Sequence, residues 1–161
     1  MSMISALREV SEAQIDGLLA NPESIHEFLE EEVDEIDLDK AWHGLHFLFT
    51  GSAWEGEEPL CYLVKGGEEI GEEEIGYDVP RALRPAQVLA WSEALAALTV
   101  DELRKRFNPA AMTKAGIYQE IWGRPEEEDD TLGYLLDYYE VLQSFLIQTK
   151  AANKGVIIYL I

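Results

Sequence analysis

The sequence predicts a helix-rich α+β fold in a single domain spanning 1–161. Three observations lead there. From about Asp130 to Ala152, Leu132, Leu135, Leu136, Tyr139, Leu142, Phe145 and Leu146 recur at helical spacing and predict one long amphipathic helix. The final run, VIIYLI, is apolar without alternation, which is the pattern of a strand buried on both faces. The remaining strand candidates are few and lie far apart in the chain, so the sheet is small and helices pack around it. We expect a mixed or antiparallel sheet made of an N-terminal strand, a middle strand near Tyr77–Leu83 and the C-terminal strand.

The elements follow in order. Residues Met3 to Arg8 alternate weakly and read as the first strand. Ser11 then caps a helix, with Gln14 completing a capping box and Ile15, Leu18 and Leu19 as its apolar face. Asn21 and Pro22 start a second helix, proline at the first position having no amide to lose there. The acidic stretch Glu30 to Asp37 is expected to be exposed. A helix is predicted from about Asp37 to Phe49, stopped near Gly51. The segment PLCYLVKGG reads as a short helix closed by Gly66 and Gly67. Pro80 makes the middle strand an edge strand, or one interrupted by a bulge, because proline cannot donate to a ladder. Pro85 opens a helix with Val88, Leu89, Trp91, Leu95 and Leu98 on one face. Thr99 caps the next, and Asn108 with Pro109 begins a short one through Met112.

Composition narrows the function classes. There are 32 acidic residues against 12 lysines and arginines, a net charge of −20. That charge repels phosphate backbones and anionic lipids, so neither nucleic acid nor a membrane is an expected partner. A basic protein is. Cys61 is the single cysteine, which rules out an internal disulfide and fits a reducing compartment. No apolar run approaches a membrane span, and the first residues lack a signal-peptide pattern, so a cytoplasmic location is expected.

The densest chemistry lies in LDKAWHGLHFLFTG, residues 38–51. On a helical period Leu38, Trp42, Leu45 and Phe49 form one stripe, expected to face the core. Asp39, His43, His46 and Thr50 form the adjacent stripe. His43 and His46 are helix-surface neighbours, and Asp39 stands four residues before His43, where its carboxylate could orient the imidazole. The competing reading is a pair of packed histidines. No third ligand lies within reach in the sequence and there is no HExxH, so no metal and no cofactor are expected.

Other candidates lie outside that stretch. Arg81 suits either a bound carboxylate or phosphate, or a structural ion pair. Trp54 and Trp122, with Tyr118 nearby, sit in loop-like acidic stretches and are either binding aromatics or lids on the core. The acidic clusters lack calcium-loop spacing, and there is no phosphate loop, dinucleotide glycine pattern or nucleophile elbow.

Taken together, IDLDKAWHGLHFLFTG from Ile36, IGYDVPRALRPAQV from Ile75, FNPAAMTKAGIYQEIW from Phe107 and the closing GVIIYLI resemble the YfbM-like family of bacterial proteins over nearly the whole chain. The resemblance implies a small single α+β domain of unknown function and carries over no catalytic residues. The chain departs from the family's Gly-Pro-Ala-Arg tendency, with Asp78, Val79 and Pro80 before Arg81. Two functional readings follow from the residues. One is a non-enzymatic binding or inhibitory protein for a basic protein partner, in the manner of an immunity protein. The alternative is a small enzyme or ligand-binding protein with a pocket using His43, His46 and Arg81.

Overall fold

The computed structural model describes residues 2–161. In chain order the elements are β1 (Ser5–Val10), α1 (Glu12–Ala20), α2 (Ile25–Glu30), β2 (Glu35–Asp37), α3 (Trp42–Thr50), β3 (Glu68–Glu69), β4 (Arg81–Leu83), α4 (Pro85–Ala96), α5 (Val100–Arg106), α6 (Pro109–Lys114), α7 (Thr131–Ala151) and β5 (Gly155–Leu160). The strands form one antiparallel sheet in the order β2-β1-β5-β4-β3. The α+β class is as expected, and so are the three strands that build the sheet's centre. Five residues of β5 in succession, Gly155 to Tyr159, are buried, and β5 pairs along its whole length with β1.

The burial of β5 has a simple cause. Val156 and Ile158 join Leu7 and Leu83 on the face packed against α3, α4 and α7. Ile157 and Tyr159 join Ala6, Val10 and Ala82 on the opposite face, under Ile15, Leu18, Ile25 and Phe28 of α1 and α2. The sheet is thus a middle layer with apolar side chains on both sides. Its two outer strands, β2 and β3, are three and two residues long and carry mostly exposed acids. Short charged edges of this kind discourage pairing with another chain. They also leave no apolar alternation to detect, which is why neither strand is evident in the sequence.

Local chemistry sets most of the helix starts. Ser11 Oγ accepts from Gln14 N while Gln14 Oε1 accepts from Ser11 N, closing the expected capping box. Thr99, Asn108 and Asp130 each accept from a backbone amide three residues on. On α4, Val88, Trp91 and Leu95 are buried as expected, while Leu89 is turned to solvent.

Three expectations need correction. The middle strand is not at an edge: β4 begins immediately after Pro80 and lies between β5 and β3. The proline stays outside the ladder and gives only its carbonyl, which accepts from Ile70 N at 2.8 Å. The segment 59–67 is a succession of turns, not a helix. In a helix, Tyr62 O would accept from Gly66 N; here it accepts from the Arg81 guanidinium. The third helix begins at Trp42 rather than near Asp37. Asp37 belongs to β2, its Oδ1 accepts from Asp39 N at 3.0 Å, and Asp39 takes φ +47°. A short aspartate side chain bonding the backbone two residues on offers the chain a turn in place of a helical one.

Candidate functional site

The site is built on α3. Leu38, Trp42, Leu45 and Phe49 are all buried, so the first stripe is core as expected. Gly44 lies within α3, and a Cβ there would stand 2.7 Å from both Trp122 and Leu135 side-chain atoms. Glycine is therefore what lets those two side chains approach the helix. Gly51 closes α3 in the left-handed conformation at φ +77°.

In the second stripe His43 and His46 are fully buried and ring nitrogens of both meet backbone, while Asp39 and Thr50 are half-buried. His43 is 1% exposed. Its Nδ1 accepts from Tyr118 N at 2.8 Å, and its Nε2 lies 2.7 Å from Ala53 O. An amide can only donate and a carbonyl only accept, so the imidazole is neutral with its proton on Nε2. Desolvation pulls its pKa below the ordinary histidine value, against the raising effect of the Ala53 carbonyl. His46 Nε2 donates to Glu55 O at 2.9 Å, and desolvation lowers its pKa to about 4. Its Nδ1 is buried without a partner, so a proton there would add a buried charge with nothing to receive it. Asp39 does not orient His43. It precedes the helix, and its Oδ2 accepts from Tyr134 OH at 2.7 Å. Thr50 Oγ1 donates to His46 O at 2.9 Å.

Arg81 completes the arrangement from the sheet. It is 7% exposed, and its two terminal nitrogens donate to Gly66 O and Tyr62 O, each at 2.8 Å. Burial pulls its pKa down, with Asp78 the chief opposing charge. Its neighbours in the structure are carbonyls, not a carboxylate pair. His43 and His46 bond the backbone at Ala53 and Glu55, and Arg81 bonds it at Tyr62 and Gly66, all within one segment, residues 51–67. They hold Ala53, Glu55, Tyr62 and Gly66 to the body of the protein. A carbonyl has no letter in the sequence, so these partners had no signal to find.

The aromatic candidates separate. Trp54, carried by that held segment, is 56% exposed. Its ring centroid lies 4.2 Å from that of His43, which in turn stacks on Trp42 at 5.1 Å and 15°. Tyr118 stacks on the same Trp42 at 5.8 Å, and its hydroxyl accepts from Met3 N. Tyr118 is thus part of the support and not a free contact. Trp122 is corrected from binding candidate to core: it is 1% exposed and its indole nitrogen donates to Ile117 O at 2.9 Å.

What the arrangement can do chemically follows from these bonds. His43 has no ring nitrogen left for proton transfer. Cys61 is buried, and burial pushes its thiol pKa up, away from the reactive thiolate. Among the described residues no three His, Cys, Asp or Glu side chains are grouped to hold a metal ion. A cleft of about 270 Å³ opens near Phe107, Trp122, Arg124 and Thr131, and none of His43, His46 or Arg81 lines it. No helix among the described residues is long and apolar enough to cross a membrane.

Comparison with known proteins agrees with this architecture. Protein YfbM of Escherichia coli (strain K12) is 29% identical over 163 residues, covering 95% of each chain. The crystal structure of YfbM from Escherichia coli, titled a protein of unknown function, superposes with a TM-score of 0.79 at 22% identity, over 98% of this chain and 99% of that one. At that identity the superposition speaks for the fold alone. Residues 1–159 match a family whose description is domain of unknown function (DUF1877), and the chain belongs to that family.

Proposed function

We propose that this protein is a non-enzymatic binding or inhibitory protein for a basic protein partner, immunity-like in its mode of action. One observation carries the reading. Three buried polar side chains, His43, His46 and Arg81, bond the backbone of one irregular segment, 51–67, whose Trp54, Glu55, Glu57 and Glu58 face solvent while Cys61, Tyr62 and Leu63 join the core. Fixing a surface segment lowers the entropy lost when a partner seats on it, and that serves recognition. The net charge of −20 sets the sign of the partner and would speed its approach at low ionic strength.

Affinity capture tests the reading. The immobilised protein is exposed to lysate at low and at moderate salt, beside a variant in which Glu55, Glu57 and Glu58 are changed to Gln. A basic protein should be retained at low salt, released as salt rises, and held less by the variant. Failure to retain any protein at low salt sinks the reading. Equal retention by both forms would move the contact away from this segment.

A further inference from the structure

We infer that the outer face of Trp54 receives an arginine side chain of the basic partner, making this indole the centre of the contact. The inference rests on the binding reading above and goes one step further, naming the residue and the chemistry that meet. Four tryptophans occur in the chain, and Trp42, Trp91 and Trp122 are between 0% and 2% exposed. Trp54 alone among them shows its ring to solvent, at 56%.

A large aromatic left open on a mobile loop would carry little meaning, but this one is supported. Its inner side rests against the His43 imidazole, which is itself fixed through both ring nitrogens and stacked on Trp42. The carbonyls on either side of Trp54, those of Ala53 and Glu55, are the two that the histidines hold. The indole is therefore set before any partner arrives. Tryptophan in such a position is the residue type that most often dominates an interface.

The surroundings decide what the open face takes. Glu55, Glu57 and Glu58 follow Trp54 directly and are exposed. This segment already holds one cation: Lys65 Nζ lies 2.8 Å from Glu55 Oε2. An indole face attracts cations through its quadrupole, and neighbouring carboxylates add to the attraction. Arginine fits better than lysine, since its planar guanidinium stacks flat on the ring while its edge still donates to carboxylates.

The test uses the intact protein and three synthetic peptides of one length, alternating glycine with arginine, lysine or citrulline. Citrulline keeps the shape of arginine without its charge. At low salt, the arginine peptide should shield the acrylamide-quenchable tryptophan emission, which comes from Trp54. It should bind more tightly than the lysine peptide, and the citrulline peptide should not bind measurably. Trp54→Ala should weaken arginine-peptide binding by about tenfold or more, and Trp54→Phe by less, since a phenyl ring keeps part of the attraction. Circular dichroism checks that both variants are folded. If the arginine peptide binds wild type and Trp54→Ala equally, this inference is overturned while the acidic-surface reading stands. Equal binding of the citrulline peptide overturns the cation assignment. If no cationic peptide binds at low salt, both the inference and the reading fall.

Discussion

The segments 51–67 and 116–130 are both acidic, both irregular, each carries one tryptophan, and both are tied to α3 through the same imidazole. His43 donates to Ala53 O in the first and accepts from Tyr118 N in the second. Yet Trp54 is 56% exposed and Trp122 is 1% exposed. The difference lies in what α3 offers each ring. Beside Trp122 the helix has Gly44, whose missing side chain leaves a space that the indole fills. Beside Trp54 it has the neighbouring residue, His43, whose ring is a surface to rest on. A hole and a platform one residue apart send two similar tryptophans to opposite fates. The residues around a tryptophan in the chain therefore say less about its burial than the residue it meets across the fold.

The strongest way to break this comparison is to empty the hole. Trp122→Ala should destabilise the protein by about 3–5 kcal/mol, the range for removing a fully buried tryptophan, as measured by urea unfolding. A loss below about 1 kcal/mol would mean that Trp122 does not close the core. Acidification comes next. The folded pKa of His46 is about 4, and its reference value is 6.5. The unfolded chain therefore takes up this proton first. Stability from His46 is fully present above pH 6.5, falls as pH drops through that value, and stops falling near pH 4, a change on the order of 3 kcal/mol. His46→Gln keeps a donor for Glu55 O and does not titrate. Its unfolding free energy, measured beside wild type from pH 7 to pH 4, should lack that component. Parallel curves for the two proteins would exclude it. The smallest effect belongs to the platform's occupant: Trp54→Ala should leave stability within about 0.5 kcal/mol, as for other exposed positions. The same variant should lose most acrylamide-quenchable fluorescence. A large stability loss would show Trp54 to be structural and erase the contrast with Trp122.

How much of this was legible follows from the range of the signal. The caps at Ser11, Thr99 and Asn108 and the stripe on α7 are local patterns, so those helices were readable. The apolar run from Val156 needed no partner to announce the burial of Val156 to Tyr159, although its last residue, Ile161, is exposed. The acidic β2 and β3 had no such pattern, and the turn at Asp39 overrode a helical period that extended too far towards the N-terminus. For the site, periodicity put Trp42 and Leu45 on one stripe and His43 and His46 on the next, but in the fold all four are buried. It could not tell that the histidines meet carbonyls, because those partners lie in a segment whose course depends on Arg81 from a distant strand. Trp54 and Trp122 were indistinguishable for the same reason.

The position of β5 bears on how the chain is made. It runs between β1 and β4, and its ladder with β1 joins Ser5 to Leu160 and Val10 to Gly155. The strand at the middle of the sheet is thus synthesised after the strands it pairs with and the helices it packs against. Until it emerges, β1 and β4 have only their outer neighbours, and the apolar faces of α4 and α7 lack the strand they pack against. Closing contacts across nearly the whole chain length is slow, and the waiting chain exposes surface that could aggregate. A strongly negative sequence keeps such nascent chains apart by mutual repulsion. The acidity then has a use during synthesis that is independent of any partner met afterwards.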